Sequence, residues 1–247
     1  MTRLAHIVRH PIKSHGREEL ASVTLTPGAC LPFDRHWAVA HDAAKLTGGW
    51  VPCVNFARGA KVPGLMAITA VLDEDKREVT LSHPDAGQIT FRPNDPADLP
   101  RFLAWVTPLN PPDRAQPIQI TSLPRAFTDS DFPSVSILSI ASLRALSTRM
   151  GQDLSIHRWR GNLWLDGAEA WAEEAWVGKQ LRIGHAVLDV RERITRCKAT
   201  TADPDTGRVT ADTLGALQSN FGHTDFGVYA VVVEGGTIAV GNDWALV

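Results

Sequence analysis

A mostly β fold with a few helices, arranged as two β-rich regions, is what three features of this chain predict. Short runs of alternating apolar and polar residues recur along most of its length, each closed by turn-forming residues. One stretch, Ile140–Met150, carries a clear helical period. A proline-dense segment, Asn94–Pro117, interrupts the strands near the middle and gives the natural boundary, with a first region over 1–115 and a second over 116–247. Short strands separated by turns suggest barrel-like regions.

In the first region, Leu4–Val8 reads as a strand that breaks at His10-Pro11-Ile12-Lys13-Ser14, a loop presenting Lys13 and Ser14. Such a pair can hold an anion, or be a solvated lysine beside a turn serine. Ala21–Thr26 is a strand closed by Pro27-Gly28, and Asp34–Ala40 enters another with Arg35 at its start, placed for a phosphate or a nearby carboxylate. Gly48–Gly64 has no period and reads as a long loop of the kind that often covers or lines a binding site. Strands follow at Ala67–Leu72, Glu78–Leu81 and Gln88–Phe91, then a short helix at about Leu99–Trp105.

In the second region, Asp129–Ser136 is polar and turn-rich, and Ser139 caps a helix whose Ile140, Leu143, Leu146 and Met150 form an apolar stripe ending at Gly151. His157–Asn162 precedes the strand-like Leu163–Leu165 and gathers two arginines and an asparagine; were it extended, Arg158 and Arg160 would share a face that Asn162 continues, suited to an anion or to surface ion pairs. Trp171–Trp176 reads as a helical turn, Gln180–Ile183 with Ala186–Arg191 as a hairpin through Gly184-His185, and Asp212–Gln218 as a short helix. Val228–Val233 and Thr237–Val240 close the fold.

The 247 residues are 44% hydrophobic and 21% charged, ordinary for a globular protein and unlike disordered, collagen-like or coiled-coil chains. A formal charge of −2 gives no reason to expect nucleic acid or an acidic membrane as partner. Three cysteines without CxxC spacing argue against a disulfide framework and fit a reducing cytoplasm. The N-terminus lacks the apolar core of a signal peptide, and no run approaches the roughly twenty apolar residues of a membrane span.

The stretch that carries chemistry is Arg196–Gly207, RCKATTADPDTG. A thiolate at Cys197 is a soft ligand for a thiophilic metal, and Arg196 and Lys198 favour its charged form. Asp203–Gly207 reads as a tight turn able to fold back over the sulfur. One cysteine is not a motif, and on spacing alone a core thiol before a hairpin loop is the simpler reading.

In order along the chain, HPIKS at 10–14, DRHW at 34–37, ILSIASLRAL at 137–146, RWRGN at 158–162 and RCKATTADPDTG at 196–207 resemble the MOSC family, the domain found at the C-terminus of molybdenum cofactor sulfurases, and within it the amidoxime-reducing branch. The resemblance covers nearly the whole chain. It implies an N-terminal β-barrel-like domain packed on a MOSC β-barrel domain, with a molybdenum–molybdopterin cofactor at their junction. It implies Cys197 as the molybdenum ligand and Lys13, Ser14 and Arg35 on the phosphate end. Arg160 and Asn162, with Arg158, would contact the cofactor from the second domain, Ser136 and Ser139 with the Asp129–Ser134 loop would line it, and Asp203 would lie near the open face of the metal as a proton relay. The implied reaction is reduction of a small N-hydroxylated compound, an amidoxime or hydroxylamine. Three scattered cysteines cannot ligate a four-cysteine iron–sulfur cluster, so electrons are expected from a separate donor of the ferredoxin, flavoprotein reductase or cytochrome b5 type. The alternative is a carrier that holds cofactor or sulfur on Cys197 for delivery. The chain departs from the family's usual pattern at His10, usually tyrosine, at Gly161, commonly proline, and over Gly48–Gly64.

Overall fold

The computed structural model describes residues 2–247. The first part of the chain forms β1 (Arg3–Arg9), β2 (Ile12–Lys13), β3 (Glu18–Leu20), β4 (Ser22–Leu25), β5 (Trp37–His41), β6 (Thr69–Asp73), β7 (Glu78–His83), β8 (Gly87–Phe91), helix α1 (Leu99–Val106) and β9 (Pro117–Ser122). The second part forms β10 (Val135–Ser139), α2 (Ile140–Met150), β11 (Leu163–Asp166), β12 (Gln180–Ile183), β13 (Ala186–Thr195), α3 (Thr213–Phe221), β14 (Asp225–Glu234), β15 (Gly236–Ala239) and β16 (Trp244–Leu246). The fold is mostly β with a few helices, as the sequence predicts, three of them α-helices among the described residues.

An eight-stranded sheet runs β16-β12-β13-β14-β10-β11-β1-β3, antiparallel except for the parallel pair β10 and β11. Its end strands β16 and β3 do not pair with each other, so among the described residues the sheet does not close into a barrel. β1 from the chain start completes this sheet, with Leu4 opposite Leu165 and Ile7 opposite Leu163, and β4 pairs with β15. The early chain also builds two smaller sheets, β2-β5-β9 and the meander β6-β7-β8.

Local chemistry explains the elements. On β7, Val79, Leu81 and His83 are buried while the residues between them are half-exposed, the period-two pattern of a one-sided strand. At the start of α2 the Ser139 hydroxyl accepts from the Ser142 N–H at 3.3 Å, and Gly151 ends the helix at φ 61°, a left-handed conformation that glycine adopts without penalty. Asp212 caps α3 through the Gly215 N–H at 3.0 Å. β10 lies in a stretch read from sequence partly as polar turn, because all five residues are buried, Ser136 and Ser139 included, and no alternation marks it. β9 likewise shows no clean period and was not expected as a strand.

Three apolar clusters dominate. One lies on the large sheet around Leu188, Val228 and Ala230, one in the first region around Phe91 stacked on Phe102 with centroids 4.8 Å apart, and one under α2 and α3 around Trp159 and Phe226. Most tryptophans fill core; Trp50 and Trp159 reach the site described next.

Glu173 is fully buried in the turn Ala172–Trp176, where its Oε2 accepts from the Ser142 hydroxyl at 2.8 Å and its Oε1 has no partner. Burial, aided by neighbouring Glu174, raises its pKa from 4.5 to about 7 against the Ser142 hydrogen bond. A raised carboxyl pKa means the folded state holds a proton the unfolded chain has released, so stability is lost as pH rises from about 4.5 to about 7. Glu173→Gln keeps the acceptor for Ser142 and removes that cost. Urea unfolding is expected to show the variant more stable at pH 8 by on the order of 3 kcal/mol, with the gain gone at pH 4.

Candidate functional site

β13 ends where the site begins. The Arg196 guanidinium donates from Nε to Phe226 O at 2.7 Å and from Nη1 to Trp159 O at 2.9 Å, and it lies 5.7 Å from the Trp159 ring centroid. Trp159 is itself stacked on Phe226 at 4.0 Å. This framework fixes the chain so that Cys197 stands exposed at the start of a 3-10 turn, Lys198–Thr201, with its carbonyl accepting from the Thr200 N–H and hydroxyl, each at 3.2 Å. Burial lowers the Arg196 pKa to about 10, which leaves it charged at neutral pH.

The RWRGN segment does not meet the condition of an extended chain on which Arg158 and Arg160 would share a face. Ser155 caps a 3-10 turn over Ile156–Trp159, and Arg160 follows in the left-handed region at φ 48°. The turn separates the side chains that an extended chain would align. Arg158, buried, reaches Asp203 Oδ2 at 3.1 Å, Thr210 Oγ1 at 2.7 Å and Thr201 O at 3.2 Å. Arg160 forms no ion pair among the described residues, and its Nη2 is buried without a partner. Asn162 turns inward: its Oδ1 accepts from the Ser136 N–H and hydroxyl at 3.1 and 2.8 Å, and its Nδ2 donates to Val8 O. It ties β1, β10 and β11 together.

Gly161 has no room for a side chain. A Cβ there would meet Leu138 Cδ1 at 2.2 Å, and Leu138 is fully buried with Gly227 against its other side. Leu138 therefore accounts for glycine at this position. Gly161→Ala is expected to lower stability by about 1–3 kcal/mol through overpacking, read as a lower denaturation midpoint; an unchanged midpoint would show that Leu138 can move aside.

From the first region, Lys13 is buried and donates from Nζ to Phe127 O and Asp129 Oδ1, both at 2.6 Å. Ser14 follows at φ 63° and Arg35 sits at φ 52°, backbone conformations that non-glycine residues hold only where surroundings require it. Arg35 pairs with the buried Asp34 and donates to Arg160 O at 2.8 Å. Asp34 also accepts from the His10 N–H at 2.8 Å. Burial opposes its charge, but Arg35 and then His10 outweigh burial and hold the carboxyl far below its ordinary range. Burial and Arg160 hold His10 neutral.

These groups enclose one cavity of about 330 Å³. Lys13, Ser14, Arg35, Ser136, Arg158, Arg160 and Cys197, each expected from sequence, line it together. Asn162 and Asp203 do not line it. Asp203 Oδ1 accepts from the backbone of Asp205 and Thr206 and from the Thr206 hydroxyl, while Oδ2 serves Arg158. Its loop bends toward the first region rather than over the sulfur: Asp205 meets Arg17 at 3.3 Å, and Gly207 packs so closely on Gly64 that a Cβ would lie 2.6 Å from its Cα.

The structure adds Arg58 and Tyr229 to the residues expected from sequence, and it brings in Asp129 from the Asp129–Ser134 loop. Asp129 is the one carboxylate on the cavity wall, facing six cationic side chains, with Arg58 and Arg196 joining the four expected. Burial works against its charge, yet Lys13, then Arg35 and Arg160, keep it ionised below the usual carboxylate range. Tyr229, the only tyrosine, also lines the cavity, and burial with Asp129 nearby raises its pKa to about 12. Trp50, Pro52 and Cys53, from the aperiodic loop, also line the cavity.

The family model described as MOSC N-terminal beta barrel domain matches residues 1–109, and that described as MOSC domain matches residues 124–244. Mitochondrial amidoxime reducing component 2 of Bos taurus is 40% identical over 77 residues, 31% of this chain and 22% of that protein. Mitochondrial amidoxime-reducing component 1 of Homo sapiens is 34% identical over 125 residues, 46% of this chain and 36% of that protein. The matched stretches thus span well under half of these relatives' own length. The solved YuaD protein of Bacillus subtilis aligns over 100% of this chain and 96% of its own at a TM-score of 0.48 and 11% identity, too loosely to argue from.

Proposed function

The chain belongs to the MOSC family, with a MOSC N-terminal β-barrel domain ahead of a MOSC domain, and from that premise we propose that its cavity binds a molybdenum–molybdopterin cofactor for the reduction of N-hydroxylated compounds. We place the division between the domains at 115/116. The observation that carries the reading is the meeting of six cationic side chains and the Cys197 thiol on one cavity that holds a single carboxylate.

The donor set fits that group. Among the described residues no cluster of three His, Cys, Asp or Glu side chains could hold a bare metal ion. A lone thiol amid cations suits a metal that arrives chelated by an anionic organic ligand, with the protein completing its coordination. Arg160, lacking any carboxylate, has unspent donors for a phosphate; Lys13 keeps one of its three N–H groups after serving Phe127 and Asp129; Arg35 and Arg158 are held in place by Asp34 and Asp203. Cys197, exposed and rigidly seated, is the ligand.

When bound, the molybdenum centre supplies two-electron reduction that takes oxygen from an N–OH group. The substrate gains two electrons and two protons overall and leaves as amine or amidine plus water. In this reading Asp129 replaces Asp203 as proton carrier, because Asp129 faces the cavity and Asp203 does not. One proton passes from the Lys13 ammonium across 2.6 Å through Asp129 Oδ1 to the oxygen leaving nitrogen, and solvent reprotonates Lys13 and supplies the second. Electrons come from a separate donor protein. Among the described residues no helix is long and apolar enough to cross a membrane, and three free cysteines suit a reducing compartment such as the cytoplasm; the names of the relatives above place those proteins in mitochondria.

The test is turnover of benzamidoxime with reduced methyl viologen, using protein from a host that makes the cofactor. Benzamidine formation in proportion to bound molybdenum is expected. Loaded protein that gives no amidine but releases cofactor to an apo-enzyme acceptor would establish the carrier role instead.

A further inference from the structure

Of the six cavity cations, Lys13, Arg35, Arg158 and Arg160 are assigned to the cradle for the anionic cofactor and Arg196 to the framework that seats Cys197; the sixth has no role yet. Arg58 belongs to the loop whose sequence departs from the family pattern. Its Nη1 donates to Cys53 Sγ at 3.2 Å, a weak acceptor, and it pairs with no carboxylate among the described residues. Most of its donors are therefore unspent.

Its place in the cavity is defined by the next residue. A Cβ on Gly59 would lie 2.7 Å from Met66 Sδ and 3.5 Å from Ala199 Cβ, so the loop packs directly on the turn that Cys197 begins. Arg58 thus stands at the Cys197 end of the cavity, where substrate must approach. On the same wall is Trp50, whose indole N–H donates to Thr128 O at 3.0 Å and whose ring has Arg125 5.2 Å from its centroid. These contacts hold the ring in one orientation beside Pro52.

We propose that Trp50 and Arg58 form a substrate subsite selecting N-hydroxylated compounds with a planar aromatic body and an anionic substituent, such as a carboxylate. A fixed indole beside a proline offers a flat apolar surface to the ring. A guanidinium without a carboxylate matches a carboxylate in planar, two-pronged geometry and repels cationic competitors. The inference rests on the reductase reading above.

The experiment compares kcat/KM of cofactor-loaded protein for benzamidoxime, 4-carboxybenzamidoxime and acetamidoxime, with reduced methyl viologen as reductant. A preference of about tenfold for the carboxylated over the neutral aryl substrate is expected, acting through KM and shrinking as salt rises. Arg58→Gln should bring that ratio near one while molybdenum content is retained. Trp50→Ala should raise KM for both aryl substrates about tenfold, and for acetamidoxime much less. Calorimetry should show 4-carboxybenzamidine binding more tightly than benzamidine to the natural protein and no tighter to Arg58→Gln. Turnover of all three substrates without preference overturns the inference and leaves the reductase reading standing. Loss of molybdenum from Arg58→Gln assigns that cation to the cofactor and also overturns it. No turnover of any N-hydroxylated compound by loaded protein overturns the reading and the inference together.

Discussion

Asp129→Asn is expected to lower amidoxime turnover by about 10²–10⁴-fold while molybdenum content stays close to that of the natural protein. The amide fills the same space and still accepts a hydrogen bond from Lys13, so the cation cradle survives. What is lost is a group able to take a proton from the Lys13 ammonium and deliver it. The contrasting substitution is Asp203→Asn. Asp203 acts on Arg158 and on its own loop and does not reach the cavity, so this change should lower cofactor retention and the thermal midpoint but leave turnover per bound molybdenum largely in place. If Asp203→Asn instead removes turnover and Asp129→Asn does not, the proton route argued above is wrong.

Arg160→Met should abolish cofactor loading and at the same time make the cofactor-free protein more stable. Burial, and next the Arg35 guanidinium close by, lower the Arg160 pKa to about 9. The folded state therefore holds this cation at a cost. Because the folded pKa lies below that of the unfolded chain, the natural protein should gain stability as pH rises from about 9 toward 12.5, and at neutral pH it carries the full penalty. A methionine of similar reach removes the charge and is expected to gain on the order of 2 kcal/mol in the cofactor-free state. An anion relieves the same penalty, so phosphate should raise the thermal midpoint of the cofactor-free natural protein more than that of Arg160→Met. A variant that is less stable and still loads cofactor would show that Arg160 is a structural group.

The features legible in the sequence were those set by neighbours along the chain. The Ser139 and Gly151 caps of α2 act within a few residues and appeared as expected, as did the turn that closes β12 and β13 at Gly184. The strand β10 was hidden because its serines are buried against Asn162, a partner 26 residues away. Arg158 and Arg160 were found as residue types, but their directions were not, because Arg160 takes a left-handed conformation that no periodicity announces. Tyr229 and Arg58 became site residues only when distant segments met on one cavity, and Asp129 was legible only as part of the Asp129–Ser134 loop, without its contact to Lys13. Asp203 misled for the same reason: its place in the motif put it near the thiol in sequence, while its carboxylate is spent on its own turn and on Arg158.

In the proposed holoprotein one cavity holds the cofactor through two separable parts, a cation cradle for the organic anion and a thiolate for the metal. Molybdenum and pterin, measured independently on protein purified from a cofactor-making host, test it most directly. The account predicts near-stoichiometric molybdenum and pterin in the natural chain, loss of molybdenum in Cys197→Ala, and loss of both in Arg160→Met. A Cys197→Ala protein that keeps its full molybdenum, or a natural chain that carries neither component in a competent host, would contradict it.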